Sequence, residues 1–363
     1  MQYDNVLLIN GREISIAAPT YFIADVASNH DGDLSRAKEL IWYAKEAGAD
    51  AVKFQHFKAK TIVSDYGFRN LGHKLSHQAA WQKSVYEIYQ QYECNRGWNE
   101  GLAKTAAEAS IDFMTTPYDL EAIDMLDQYI SAYKIGSGDI TWTDFIEVVA
   151  KQGKPVILAT GASNMEDVER AVDSITQHNR QIALLQCNTN YTGSIENFSN
   201  INLRVLASYN LKYPNMVLGL SDHTSGHAAV LGAIALGARI IEKHLTDDNN
   251  RIGPDHSFSM NPITWREMME RSRELEQALG DGVKRVERNE FEAKIVQRRC
   301  LRLTRDVLEG ETLVEDDLES LRPAPKESLP PYMSKYVVGR QVIRRKTAGD
   351  ALYMNDIKED KLC

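Results

Sequence analysis

Short apolar runs recur along the chain from residue 21 to residue 244, each closed by turn residues and followed by a stretch of helical period. The runs are YFIADVA (21–27), DAVKFQ (50–55), IDFMTT (111–116), AYKIGSG (132–138), KPVILATG (154–161), IALLQC (182–187), MVLGLS (216–221) and ARIIEKH (238–244). Their length and branched apolar content are those of strands covered on both faces. Between them, DLSRAKELIWYAKEAGA puts Leu34, Ala37, Leu40, Ile41 and Ala44 on one stripe, and NMEDVERAVDSI repeats the pattern. Amphipathic helices therefore alternate with the strands. Eight such alternations within about 250 residues predict an α/β fold, a closed (β/α)₈ TIM barrel rather than an open doubly wound sheet. No GxGxxG follows the first run, so the signal for a dinucleotide fold is missing. Ahead of the barrel, VLLINGREISI sets Asn10 and Gly11 between two short runs. That is the mark of a type I′ β-hairpin, expected here as a plug or lid.

After the helical stretch ITWREMMERSRELEQALG (263–280) the texture changes. DGVKRVERNEFEAKIVQRR is charged and reads as a linker. From Cys300 short strand-like runs alternate with turn pairs, in LRLTRDVLEGETL, RPAP, SLPP and YVVGRQVIRRKTAGDALYM. The expected organisation is a barrel over 1–282, a linker over 283–299 and a small β-rich module over 300–363. A module of that size is near the lower limit for folding alone, so it is expected to dock on the barrel or on a second subunit.

Composition narrows the partners. At 363 residues with 43% hydrophobic and 26% charged positions, the chain resembles ordinary globular proteins, and no run approaches the roughly 20 apolar residues of a membrane span. A formal charge of −9 speaks against nucleic acid or an anionic membrane as the main partner. The N-terminus has no readable signal peptide, and Cys94, Cys187, Cys300 and Cys363 show no CxxC spacing. A reducing cytoplasm and no structural zinc are the expectation.

Barrel chemistry sits where strands end and loops begin, and alternation decides which side chains point inward. In AVKFQ, Val52 and Phe54 share one face, Lys53 and Gln55 the other; by the same count Asp25, Lys134, Glu242 and His244 point inward, with Ser137 and Asp139 following at a loop. A purely structural barrel would carry Val, Ile and Leu there. One lysine at a strand end can simply snorkel. Two inward lysines on different strands call for anions, because an unpaired buried ammonium costs several kcal/mol, and a phosphate or carboxylate ligand would supply them. His223 in GLSDHTSG and His244 in EKHLTD end consecutive strands, which puts them within reach of one divalent ion, although a single core imidazole is the commoner use. Asp255 in GPDHS has a functional and a turn-forming reading, and His30 in SNHDG is left open. The Tyr and Trp residues of WYAKEA and SVYEIYQQY read as packing.

The motifs IADVASNHDG, GADAVKFQ, TTPYD, YKIGSGD, KPVILATG, GLSDHT, EKHLTDDNNRIGPDHSFSMNP and LRPAP…VVGR occur in order over nearly the whole chain. In this the chain resembles the N-acetylneuraminate (sialic acid) synthase family, which condenses phosphoenolpyruvate with an N-acylated hexosamine. The resemblance implies that His223 and His244 hold a divalent metal, Mn²⁺ first, with Mg²⁺ or Co²⁺ as alternatives. It implies phosphoenolpyruvate contacts for Lys53, Thr116, Lys134, Ser137 and Thr189, and sugar contacts for Gln55, Tyr191 and Asp255. The C-terminal module looks like that family's SAF (antifreeze-like) domain, and the resemblance implies a domain-swapped homodimer in which Arg322 reaches the partner's sugar.

Asp25 and Asp139 stand where the family usually has glutamates; a carboxylate there is expected to stabilise a cation at C2 or activate the attacking water. Ala159 replaces a common Ser and Thr189 an Asn. These departures cluster at the sugar end and leave the acceptor open between N-acetylmannosamine, a diacetamido-trideoxyhexose and an unacetylated hexose. Two other functions remain at this stage. One is a different phosphoenolpyruvate-dependent 3-deoxy-ulosonate synthase, disfavoured by the missing basic cluster for a second phosphate. The other is a catalytically retired sugar-binding barrel.

Overall fold

The computed structural model describes residues 2–71, 78–79 and 81–358. The chain divides into two compact units, 1–280 and 281–363.

The first unit opens with an antiparallel hairpin, β1 (Val6–Ile9) and β2 (Arg12–Ser15). Its turn residues have φ of 49° at Asn10 and 78° at Gly11, the left-handed pair that a type I′ turn requires. Eight parallel strands follow: β3 (Tyr21–Asp25), β4 (Ala51–His56), β5 (Asp112–Pro117), β6 (Tyr133–Ile135), β7 (Val156–Ala159), β8 (Ile182–Cys187), β9 (Val217–Asp222) and β10 (Ile240–His244). They close into a barrel in sequence order, β10 pairing with β3. Each of the eight runs read from the sequence coincides with one of these strands; five contain theirs, and β4, β5 and β9 extend one residue further.

Two apolar layers follow from strand alternation. Phe22, Ala24, Val52, Phe54 and their equivalents pack outward against the helices, for example against Ala37, Leu40 and Ile41 of the helix Leu34–Glu46. The inward residues Tyr21, Ile23, Ala51, Met114, Ile157 and Ile240 form a separate cluster with Leu7, Ile9 and Ile14 of the hairpin. The hairpin is thus a plug under the N-terminal end of the barrel. Gly219 belongs to this inner zone because any Cβ there would sit 2.3 Å from the Ile240 carbonyl oxygen. With the bottom filled, only the C-terminal strand ends remain for chemistry.

The second unit contains the helix Phe291–Gln297, within the stretch that reads as a linker, and an antiparallel pair, β11 (Cys300–Leu303) and β12 (Leu318–Leu321). Isolated bridges such as Val307 with Lys346 and Val342 with Ile357 extend it. Its core is small, built on Leu301, Leu303, Leu313, Val342 and Leu352. Among the described residues no helix is long and apolar enough to cross a membrane.

Candidate functional site

The C-terminal strand ends surround a cavity of about 310 Å³. Its floor is ionic. Lys53 at the middle of β4 donates to Asp25 of β3 at 2.8 Å and to the Thr116 hydroxyl of β5 at 3.1 Å. Gln55 donates to the same Asp25 oxygen at 2.9 Å. Across the barrel, Lys134 of β6 lies 3.2 Å from Glu242 of β10, which also accepts from Ser221 at 3.0 Å and stands 4.0 Å from Lys53. All of these side chains but Gln55 are buried.

The lysines therefore do not wait for an external anion, as alternation alone suggested. Asp25 and Glu242 already neutralise them, because a closed barrel brings opposite strands within ion-pair range. Burial by itself would raise Asp25, but the charges of Lys53 and His244 and the hydrogen bonds from Lys53 and Gln55 bring it below the usual carboxylate range. Burial raises Glu242 likewise, and Lys134 and Lys53 bring it down. For Lys53, burial lowers the pKa and the two carboxylates more than restore it. An incoming anion would have to share these ammonium groups with the protein's own carboxylates.

Asp139 differs. It ends a short 3₁₀ turn, Ser137–Asp139, lines the same cavity, and has one buried oxygen with no hydrogen-bond partner. Burial raises its pKa to about 6, the range in which a carboxyl group can exchange protons at neutral pH. Ser137 beside it accepts from the Gly161 amide at 2.9 Å. A Cβ on Gly161 would meet the Thr189 methyl at 2.6 Å, which locates Thr189 against this wall. Thr189 itself does not line the cavity.

His223 and His244 face each other with ring centroids 5.3 Å apart. His223 Nδ1 makes a 2.9 Å hydrogen bond with the Asn188 carbonyl; as donor there it leaves Nε2 with the lone pair. Burial would lower His223, but its bond to the Cys187 thiol, the thiol's charge and the Asn188 carbonyl raise it. Burial raises Cys187, and His223 more than offsets this. His244 is held down by burial against the pull of Asp25 and Asp255, and its Nδ1 is buried without a hydrogen-bond partner. His244, a neutral imidazole with an unused nitrogen, fits a divalent ion; His223 is already engaged by Asn188 and the Cys187 thiol and would have to exchange the thiol for the ion. Among the described residues no third His, Cys, Asp or Glu completes a ligand group with them. Any metal here would rely on water or substrate for its remaining positions.

A smaller space of about 130 Å³ adjoins the cavity, sharing Gln55, Tyr118, Tyr191 and His244 with it. Asp255 lines this annex and accepts from the Ser28 amide at 3.2 Å and from the Ser28 hydroxyl. The structure thus joins Asp25, Lys53, Gln55, Thr116, Lys134, Ser137, Asp139, Tyr191, His223, His244 and Asp255 around two connected spaces. Arg322 lies in the other unit, just past β12, and is exposed.

The sequence reading missed two things. In the sequence Glu242 reads only as inward-facing, whereas in the structure it pairs with Lys134 and approaches Lys53. Tyr89 and Tyr92, which read as packing, line the annex instead; Tyr89 belongs to the helix Val85–Gln91 and Tyr92 caps its C-terminus, on the loop between β4 and β5. The usable signal was position, since βα loops carry function in such barrels.

Similarity to known proteins agrees with this geometry. The N,N′-diacetyllegionaminic acid synthase of Campylobacter jejuni is 35% identical over 309 residues, covering 84% of this chain and 91% of that protein. The Legionella pneumophila enzyme of the same name is 33% identical, with 96% of this chain and 98% of that one covered. The crystal structure of N-acetylneuraminic acid (sialic acid) synthetase from Leptospira borgpetersenii superposes with a TM-score of 0.69 at 26% identity, over 79% of this chain and 94% of that one. The family model described as the NeuB family matches residues 40–284. With its closed barrel and its inward lysines, carboxylates and histidines, the chain belongs to the NeuB family.

Proposed function

We propose that the protein condenses phosphoenolpyruvate with the aldehyde of an N-acylated hexosamine, releasing phosphate and forming a nonulosonic acid. The observation that carries this reading is one cavity holding two buried lysines, an unpartnered carboxyl oxygen of Asp139 and two facing histidines. The synthase names of the similar proteins support it.

In this reading Lys53 and Lys134, with the hydroxyls of Thr116 and Ser137, bind the carboxylate and phosphate of phosphoenolpyruvate, and Thr189 shapes that wall. Gln55, Tyr191 and Asp255 hold the sugar. His223 and His244 would hold a divalent ion, Mn²⁺ first, whose contribution is to polarise the aldehyde oxygen. C3 of phosphoenolpyruvate forms the new bond to the aldehyde carbon, and positive charge develops at C2 and its oxygen. The Asp25 and Asp139 carboxylates face that charge and stabilise it only as it forms, which accelerates the step. Water then adds to C2 while Asp139 takes one of its protons, and the former aldehyde oxygen takes up a proton to become a hydroxyl. The C2 hydroxyl passes its remaining proton to the departing phosphate as the C2–O bond to phosphate breaks, its electron pair leaving on phosphate and a C2 ketone forming.

Outside the barrel, we assign residues 283–299 as linker and 300–363 as an SAF-type domain. In a domain-swapped homodimer its Arg322 would reach the sugar of the partner's site. We place the enzyme in the cytoplasm, where phosphoenolpyruvate is made.

The test is phosphate release from phosphoenolpyruvate with Mn²⁺ and a panel of N-acetylated and diacetamido hexoses, with mass spectrometry of the products. A product heavier than the acceptor by a pyruvic acid unit is expected. Metal and phosphoenolpyruvate binding with no phosphate release from any acceptor would overturn the reading in favour of a retired barrel.

A further inference from the structure

Asp255 is carried by the loop that follows β10, and the residue after it, His256, is fully buried. Both ring nitrogens of His256 are engaged. Nδ1 lies 2.7 Å from the Thr246 hydroxyl, at the start of the same loop, and Nε2 lies 3.0 Å from a carboxylate oxygen of Asp31, on the loop that follows β3. A carboxylate only accepts, so in the neutral ring Nε2 carries the proton and Nδ1 accepts from Thr246. The loop's own backbone closes over the ring, since a Cβ on Gly253 would sit 2.6 Å from His256 Cδ2.

Further bonds join the same two loops. Arg36, buried in the first turn of the helix Leu34–Glu46, donates from Nε to the Asn29 carbonyl at 2.7 Å and from both Nη atoms to Asp247. Asn29 donates to the Leu245 carbonyl and to the Ser259 hydroxyl, each at 2.9 Å, and Ser259 donates to the Asp255 carbonyl at 2.6 Å. The backbone around Asp255 is thus pinned by groups that do not touch the cavities. Among the described residues, those lining the two spaces do not include His256, Asp31 or Arg36.

We infer that His256 is a positioning residue: through its bond to Asp31 it sets the β10 loop against the β3 loop and so fixes where the Asp255 carboxylate stands. This rests on the proposed condensation, in which Asp255 holds the sugar. The two bonds of the ring differ in use. The one to Thr246 stays within a single loop, whereas the one to Asp31 crosses between loops, and only a crossing bond can hold one loop against the other. A site works when its groups are held to within about 0.5 Å. Loosening this bond is therefore felt by the sugar and not by phosphoenolpyruvate, whose proposed ligands Lys53, Thr116 and Lys134 stand on β4, β5 and β6.

Two amides separate the bonds. The longer side chain of His256→Gln places an N–H donor where Nε2 stands and keeps the Asp31 bond; His256→Asn reaches only the Thr246 side. The full-length protein, these variants and His256→Ala are compared by KM for each substrate, using the acceptor found in the phosphate-release panel, and by hydrogen exchange over residues 245–259. The Ala and Asn variants are expected to raise the sugar KM at least about 10-fold, the effect of one lost charge-assisted hydrogen bond. Their phosphoenolpyruvate KM stays within about 2-fold of the parent, and the Gln variant keeps both values within about 3-fold. Exchange over 245–259 quickens in the Ala and Asn variants while the barrel strands stay protected. Asp31→Gly, which suits a φ of 53° at that position, removes the same bond from the other loop and gives the same sugar-specific loss should a His256 variant fail to fold. An unchanged sugar KM in the folded Ala and Asn variants, a phosphoenolpyruvate KM that rises as far as the sugar KM, or a Gln variant no better than Asn overturns the inference. If no acceptor reacts, faster exchange in Ala and Asn but not Gln upholds the role of His256 and refutes the condensation instead; equal exchange in all three overturns the inference.

Discussion

Behind the two histidines lies an ion pair whose removal gives the sharpest test of how this barrel is held. Asp222 and Lys243 each precede one of them in sequence, so alternation turns both to the outer face, and they are register partners across β9 and β10. Their side chains are 0% and 1% exposed and 2.6 Å apart. Lys243 also donates to the Thr224 carbonyl at 2.6 Å, and Thr224 donates through its amide (3.1 Å) and hydroxyl (2.9 Å) to Asp222. Lys243→Met keeps most of the stem volume but leaves a buried carboxylate without its counter-ion. Breaking such a pair costs about 3–5 kcal/mol; the donors that remain on Asp222 from Thr224 place this case near about 3 kcal/mol. Against a typical total of about 5–15 kcal/mol that is a large loss. The double variant Asp222→Asn, Lys243→Met removes the stranded charge and should recover most of it, since uncharged replacements of buried pairs are often neutral. The assay is denaturant unfolding followed by tryptophan fluorescence. All five tryptophans, Trp42, Trp81, Trp98, Trp142 and Trp265, lie in the barrel unit, so the signal reports that unit alone. A single variant within about 1 kcal/mol of the parent would refute the reasoning, since ordinary surface changes fall in that range. So would a double variant no more stable than the single.

Three further outcomes are expected. Asp139 has its pKa raised to about 6 by burial, and its carboxylate form is the one that accepts the proton of water; kcat/KM for phosphoenolpyruvate should therefore fall as pH drops through about 6. Asp139→Asn should remove that limb together with most activity, and an unaltered pH profile would discount the role. His244→Ala should abolish Mn²⁺ binding in direct titration and metal-dependent turnover while circular dichroism stays unchanged; retained Mn²⁺ affinity would remove the metal assignment. Arg322→Ala should raise the sugar KM with little change in the phosphoenolpyruvate KM, and an unchanged sugar KM would sink the contact across the dimer.

The barrel was legible in the chain because its determinants are local. Each strand's length, its turn residues and its two-residue alternation lie within a few positions, so Lys53, Lys134, Glu242 and His244 could be turned inward without knowing their neighbours. The hairpin was equally readable, since Asn10 and Gly11 select their own turn. Ordered motifs such as GLSDHT and EKH located the histidine pair by the same local means.

What those side chains meet was decided only by closure of the barrel. Asp25 and Lys53 are 28 residues apart on neighbouring strands, and Lys134 meets Glu242 from the far side of the ring. Pairing across such distances depends on strand order and register, which no local pattern encodes. The tyrosines make the same point. In SVYEIYQQY the helical spacing describes a helix, but whether Tyr89 and Tyr92 pack against a core or wall a cavity depends on where the loop between β4 and β5 folds back. Asp222 and Lys243 resemble ordinary polar neighbours of two histidines in sequence. Only the parallel register of β9 and β10 makes them a buried pair, because side-chain direction is set along a strand while contact is set between strands.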